Sequence, residues 1–267
     1  MTKFDLTFFR KNDKILNSEI LGDENMKWSE SFKVKFHETN ADEVAGVSQI
    51  FKYIQEAAMS QLNAQHPSYR ELFDQKKAFV LSSIRLELHA PIFAYDNIIA
   101  RSWACPSRGV NFVRSYEIER DGEILCEAAS SWALVSTDER KLYTVNDIDT
   151  SGYYMDEPVK TERPVRVRIP SALPMSLVGE YTVQYSDIDM NGHVNNTNYP
   201  RIICNAISNI EDIMIKSVGI YFANEAKLGD ALKIYMSKVD DRMYFRTIRD
   251  DGKTNIEAEI IYSPKTL

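Results

Sequence analysis

Between Ser186 and Tyr199 the chain reads Ser-Asp-Ile-Asp-Met-Asn-Gly-His-Val-Asn-Asn-Thr-Asn-Tyr, a short stretch holding two carboxylates, several amides and one of only four histidines. Two chemistries suit such a set. Asp187, Asp189, Asn191 and Gly192 match the opening of a D-x-[DN]-x-[DN]-G loop, whose hard oxygen ligands hold calcium. Alternatively, Asp189, Asn191 and His193 supply a carboxylate, an amide donor and an imidazole, the parts needed for acid/base work at a carbonyl. A calcium loop requires a bidentate Glu at its twelfth position, and counting from Asp187 that position is Asn198. Thr182 to Tyr185 also alternates like a strand where an EF-hand needs an entering helix. Acid/base chemistry therefore fits better, and no metal is expected. If the backbone is extended from Asp189 to His193, its period of two puts all three side chains on one side. Asn195 and Asn196 are open to either of two roles, capping a following helix or joining the chemistry.

The elements that must position these residues can be read outward from them. Tyr199, Ile202, Ile203, Ala206, Ile207 and Ile210 recur at spacings of three and four, the stripe of an amphipathic helix. Pro200 is compatible only with the first turn, so the helix should begin near Asn196. Its free N–H groups and positive dipole end would then point back towards His193, where a developing oxyanion could be held.

The same pattern occurs earlier. Val34, Phe36 and Glu38 return as Val183, Tyr185 and Asp187, and each set precedes a helical stripe, in the first half Val47, Ile50, Phe51, Ile54, Ala58 and Leu62. Asp121-Gly122 and Glu127-Ala128 return as Asp251-Gly252 and Glu257-Ala258, with Asp-Gly marking hairpins. The spacing between corresponding residues shortens along the chain, which places an insertion in the first unit near Gln65 to Lys77. Strands are expected near 78–89, 97–106, 111–120 and 123–136, then near 215–224, 231–238, 242–249 and 254–262. The expected fold class is α+β, a double hotdog in which each unit is a long helix wrapped by an antiparallel sheet. The units would occupy 1–140 and 178–267, joined by a linker over 141–177 whose prolines are Pro158, Pro164, Pro170 and Pro174.

With 267 residues and 44% apolar content, the chain can bury one large core or two modest ones. No apolar window is long enough to span a bilayer, and Met1 to Lys14 carries both charge signs instead of an apolar signal core. A cytoplasmic protein without membrane insertion is expected. Three cysteines without C-x-x-C spacing suit reduced thiols, and a net charge of −7 argues against nucleic-acid binding.

Asp189-x-Asn191-x-His193-Val194-Asn195-Asn196-x-x-Tyr199 resembles the signature of acyl-acyl carrier protein (acyl-ACP) thioesterases, plant and bacterial enzymes that end fatty-acid synthesis. The likeness extends over roughly Trp28 to Tyr262, with Phe51 to Ala58, Asp121 to Leu125 and Ser131-Trp132 in the family order. It implies hydrolysis of fatty acyl-ACP without a cofactor, by Asp189, Asn191 and His193 with Glu225: Glu225 and His193 would activate the water, Asp189 would orient the imidazole, and Asn191 with the N–H groups near Val194 and Asn195 would polarise the thioester carbonyl. Glu225 lies in Tyr221-Phe222-Ala223-Asn224-Glu225-Ala226, where the plant enzymes resemble Tyr-Arg-Arg-Glu-Cys; Ala226 in place of Cys leaves no thiol there and favours attack by water. Gly192 and Pro200 are further departures. The first unit has Asn40, Asp42 and Val44 where the second has Asp189, Asn191 and His193, so it is expected to hold the acyl chain, with Ile50, Ile54, Ala58 and Trp103 as lining residues or as plain core. The partner implied is acyl carrier protein, an acidic protein for which Lys160, Arg163, Arg166 and Arg168 offer a basic face. An acyl-CoA thioesterase and a non-catalytic acyl-binding hotdog are the alternatives, and a homodimer is left open.

Overall fold

The computed structural model describes residues 27–139 and 141–265; the mixed-charge segment Met1 to Lys14 lies outside them. The first half runs β1 (Trp28–Lys33), a 3-10 turn (Phe36–Glu38), α1 (Val47–Ala64), α2 (Tyr69–Asp74), β2 (Lys77–Leu88), β3 (Asn97–Arg108), β4 (Asn111–Arg120), β5 (Glu123–Ser136) and the short β6 (Leu142–Tyr143). The second runs β7 (Ser176–Thr182), 3-10 turns at Tyr185–Asp187 and Asn196–Asn198, α3 (Tyr199–Cys204), β8 (Ile213–Phe222), β9 (Ala231–Val239), β10 (Arg242–Arg249) and β11 (Thr254–Pro264).

All these strands form a single antiparallel sheet in the order β1-β3-β4-β5-β2-β8-β11-β10-β9-β7, with β6 on β5. The second half repeats the first in mirrored order, and β2 and β8 join the halves through pairs such as Arg85↔Gly219. This is the double hotdog. The alternation of apolar residues along each strand puts one face under α1 and α3, so Ile50 and Ile54 of α1 share one continuous core with Ile84, Leu86, Val218, Ile220 and Ile260. Asp121 and Gly122 both have positive φ, as a two-residue hairpin requires.

The opposite face of the sheet carries the segment between the units. The Trp103 indole N–H donates to the Glu157 carbonyl at 3.0 Å, and Arg85 Nε donates to the Pro164 carbonyl at 2.9 Å. At the seam Arg85 is fully buried and pairs with Glu259 at 2.8 Å. Gly219 makes room for it: a Cβ there would lie 2.6 Å from Arg85 Nη2.

Three expectations need correction. Thr182 ends its strand, and Tyr185–Asp187 is a 3-10 turn, as Phe36–Glu38 is in the first half. The helix of the second unit is short, because α3 stops at Cys204; Asn205, Ser208 and Asn209 follow, and Asn209 takes a left-handed conformation with φ of 57°. Side chains of these types compete for backbone hydrogen bonds and weaken a helix interior. Ile207 and Ile210 still pack on the core, but from turns. The extra length of the first unit is the remainder of α1 together with α2, which Ser68 and Glu71 cap reciprocally.

Candidate active site

The stretch Asp187 to Tyr199 is built around a buried carboxylate. Asp187 has no exposed surface; it accepts hydrogen bonds from the Tyr181 hydroxyl at 2.6 Å and the Gln184 N–H at 2.8 Å, and it pairs with Arg201 on α3. Its carbonyl receives the Asn195 N–H at 2.8 Å and the Asn198 amide at 3.1 Å. Glu38 does the same work in the first half, accepting from the Lys35 N–H and from Gln49 and Tyr53 of α1. Since Asp187 is already occupied by Arg201 and Tyr181, it is poorly placed to ligate calcium.

From that anchor the chain turns sharply instead of extending. Ile188 and Val194 form a bridge, the Asp189 N–H donates to the His193 carbonyl at 2.9 Å, and Gly192 takes φ of 79° at the tip. The Asp189 carboxylate accepts from the Asn191 N–H at 2.8 Å and from the Asn191 amide at 3.4 Å. Asp189 and Asn191 are therefore brought together, but among the described residues neither hydrogen-bonds the imidazole, which corrects the expectation that Asp189 orients it: the tight turn at Gly192 commits the carboxylate to Asn191. His193 turns instead to Glu225: Nε2 lies 2.9 Å from Oε2. The imidazole is mostly covered and the carboxylate mostly open, with side-chain exposures of 28% and 60%.

Backbone bonds bring these distant segments together. The Val194 N–H donates to the Ala226 carbonyl at 2.9 Å, and Arg249 donates to the Glu225 carbonyl at 2.6 Å. Asn255, fully buried, binds the Asn224 carbonyl and donates to the Tyr199 hydroxyl at 2.9 Å. Burial pushes the Tyr199 phenol up to about 12. The first half keeps the frame without the chemistry: the Ala45 N–H donates to the Ile92 carbonyl, so Val44 and Pro91 stand where the second half has His193 and Glu225.

The N–H groups of Val194 and Asn195 were expected to face a substrate oxygen; both are committed to protein carbonyls. Asn195 caps the 3-10 turn that leads into α3, its side chain accepting the Thr197 N–H at 3.0 Å, and Pro200 sits in the first turn of α3. Ala226 is fully buried, and burial raises the thiols of Cys105, Cys126 and Cys204, the last to about 12. No described thiol is set up as a nucleophile. Ile50, Ile54 and Ala58 lie on the core face of α1, but Trp103 lies on the other face of the sheet, under the linker and the Lys27 ammonium, 3.8 Å from its ring. Alternation along β3 explains this, because its neighbour Ser102 faces α1.

Arg201, Tyr181, Arg249 and Asn255 carry no local signal in the sequence, because each acts through a partner from another segment.

Family comparisons agree with this frame. The N-terminal domain of acyl-ACP thioesterases matches residues 25–153, and their C-terminal domain matches residues 171–264. The chain belongs to the acyl-ACP thioesterase family. A chloroplast palmitoyl-acyl carrier protein thioesterase of Cuphea hookeriana is 22% identical over 66% of this chain and 46% of its own length. An oleoyl counterpart from Arabidopsis thaliana is 25% identical over 67% and 53%. The chain thus spans about half the length of the curated relatives it matches. An acyl-ACP thioesterase of Bacteroides thetaiotaomicron superimposes with a TM-score of 0.82 at 20% identity, covering 90% of this chain and 99% of that one. The 12:0-ACP thioesterase of Umbellularia californica gives 0.78 at 18% identity, covering 90% and 98%. These likenesses support the double hotdog as the family's fold. No helix among the described residues is long and apolar enough to cross a membrane.

Proposed function

We propose that this chain hydrolyses fatty acyl-ACP to a free fatty acid and the carrier protein, by direct attack of water on the thioester. The observation that carries the reading is the contact between His193 Nε2 and Glu225 Oε2 at 2.9 Å, in a chain of this family. A carboxylate in contact with an imidazole orients it and leaves it placed to take a proton from water. Asp189 is a positioning residue: it holds the Asn191 amide and closes the turn under His193. With the Val194 and Asn195 N–H groups committed, the Asn191 amide is the donor left to polarise the thioester carbonyl. Attack gives a tetrahedral oxyanion; its collapse breaks the C–S bond, and the proton taken from water goes to the leaving thiolate.

The basic run of the linker is only partly free to meet an acidic carrier protein. Arg163 donates to Glu259 at 3.2 Å and Arg166 stacks over Tyr221 at 4.2 Å, which leaves Lys160 and Arg168 as the groups to reverse in a docking test. The deciding experiment is steady-state hydrolysis of ACP and CoA thioesters across chain lengths. Release of fatty acid from ACP thioesters at higher kcat/KM than from CoA thioesters supports the proposal. Faster turnover of CoA thioesters would replace the substrate, and no release from either would end the enzymatic reading.

A further inference from the structure

The inner face of the first unit is not uniformly apolar. Arg114 of β4 points under α1, where its Nη1 donates to the Gln61 amide oxygen and to Ser102 Oγ at 2.7 Å. Gln61 and Ser102 have no exposed surface. Beside them Trp132 Nε1 donates to Ser130 Oγ at 2.7 Å, and Ser130 donates to the Tyr116 hydroxyl at 3.2 Å. These groups are mutually satisfied, with two exceptions. Gln61 Nε2 is buried and has no partner, and Arg114 has no carboxylate partner among the described residues. The titratable groups nearest Arg114 are Tyr116 and Tyr153 and, across the sheet, Cys105, all raised by burial and so neutral at ordinary pH.

A guanidinium cannot shed its proton, and a charge left in the interior without a counter-ion is costly. Burial depresses the Arg114 pKa below its ordinary value. The side chain is nevertheless half-buried, not sealed. Every open position is a hydrogen-bond donor, which selects an oxygen acceptor and favours an anion.

Its placement suits an acyl chain. The first turn of α1 touches the signature helix, with Ser48 Oγ accepting the Arg201 N–H at 2.9 Å. From Ser48 to Gln61, α1 advances about 20 Å at the rise of an α-helix. We propose that Arg114 and Gln61 form a site for an oxygen group, best a carboxylate, carried on an aliphatic chain bound in the first unit. The proposal rests on that unit being the acyl-chain half of the proposed thioesterase. The oxygen has two sources: the far end of a chain whose thioester lies at His193, or the carboxylate of a released fatty acid.

Titration calorimetry of the full chain with hexadecanedioate and with palmitate tests this without turnover, so its outcome is separate from that of the hydrolysis assay. If the site holds the far end of a bound chain, the wild type binds the dicarboxylate about tenfold more tightly than palmitate, and Arg114→Met abolishes the difference. If it holds a released fatty acid, the two ligands bind the wild type alike and Arg114→Met weakens both about tenfold. Gln61→Leu keeps the charge and gives a smaller change of the same kind, which preserves the test if Arg114→Met does not fold. Equal affinity of both ligands for the wild type and both variants, or no binding to the wild type, would overturn the proposal.

Discussion

His193 and Glu225 meet at 2.9 Å although they lie on different loops, one between β7 and α3 and the other between β8 and β9. The Val194 N–H bonded to the Ala226 carbonyl clamps these loops together immediately beside the pair, so the contact is set by backbone and not by side-chain reach. Neither side chain supports the core. His193→Ala and Glu225→Gln should each lower kcat for thioester hydrolysis by about 10²–10⁴-fold while moving the thermal midpoint little. Full activity in either variant would remove that residue from the mechanism.

Asp187 and Asp189 look alike in the sequence but differ in consequence. Asp187 is buried against Arg201, Tyr181 and the Gln184 N–H, whereas Asp189 is half-buried and serves one turn. Asp187→Ala removes the buried acceptor of the Tyr181 hydroxyl and the Gln184 N–H and the partner of the exposed Arg201, and should cost about 2–3 kcal/mol of stability. Asp189→Ala should cost about 1 kcal/mol but reduce kcat, because the Asn191 amide loses its tether. Urea midpoints and initial rates measured on the same preparations separate the two roles, and equal losses of stability would contradict them.

Much of this was legible from residue order, for physical reasons. The strands could be placed because alternation and Asp-Gly turns are local signals, and β4, β5 and β10 run as expected. Asn191 and His193 stood out by type and spacing. Glu225 did not: an exposed Glu at a strand end looks solvated, and only the family resemblance pointed to it. The sequence overstates the second helix because an apolar stripe persists through turns when the turns pack on the core, as Ile207 and Ile210 do. The burial of Asp187 has no local sign, because its partners Arg201 and Tyr181 come from α3 and β7. The side of the sheet on which Trp103 lies is not legible, because the apolar run through β3 hides which residues face α1.

The seam between the halves yields a stability prediction. Gly219 lies opposite Arg85, and a Cβ there would lie 2.6 Å from Arg85 Nη2 and 2.8 Å from Val167 Cγ2. The guanidinium cannot simply swing aside, since it is held by Ser217, Glu259 and the Pro164 carbonyl. Gly219→Ala should therefore cost about 1–3 kcal/mol, read from the urea midpoint, although alanine usually improves a strand. A neutral or stabilising effect would mean that Arg85 relaxes without penalty.

Tyr199 links fold to site through a proton. Its phenol is pushed up to about 12, mainly by burial, against about 10 in the unfolded chain, so the folded state holds that proton more tightly. A group with a raised folded pKa contributes stability that is complete below its unfolded value and is lost as pH rises towards the folded one. Between pH 10 and 12 the wild type should lose on the order of 2 kcal/mol that Tyr199→Phe does not lose. Below pH 10 Tyr199→Phe should be less stable by about 1 kcal/mol, because the Asn255 amide N–H loses an acceptor in the interior. Asn255 also holds the Asn224 carbonyl, so that change should disturb the Glu225 loop and lower kcat before it unfolds the protein. Urea titrations of both proteins from pH 8 to 12 check the crossover, and parallel curves would show that Tyr199 does not titrate in that range.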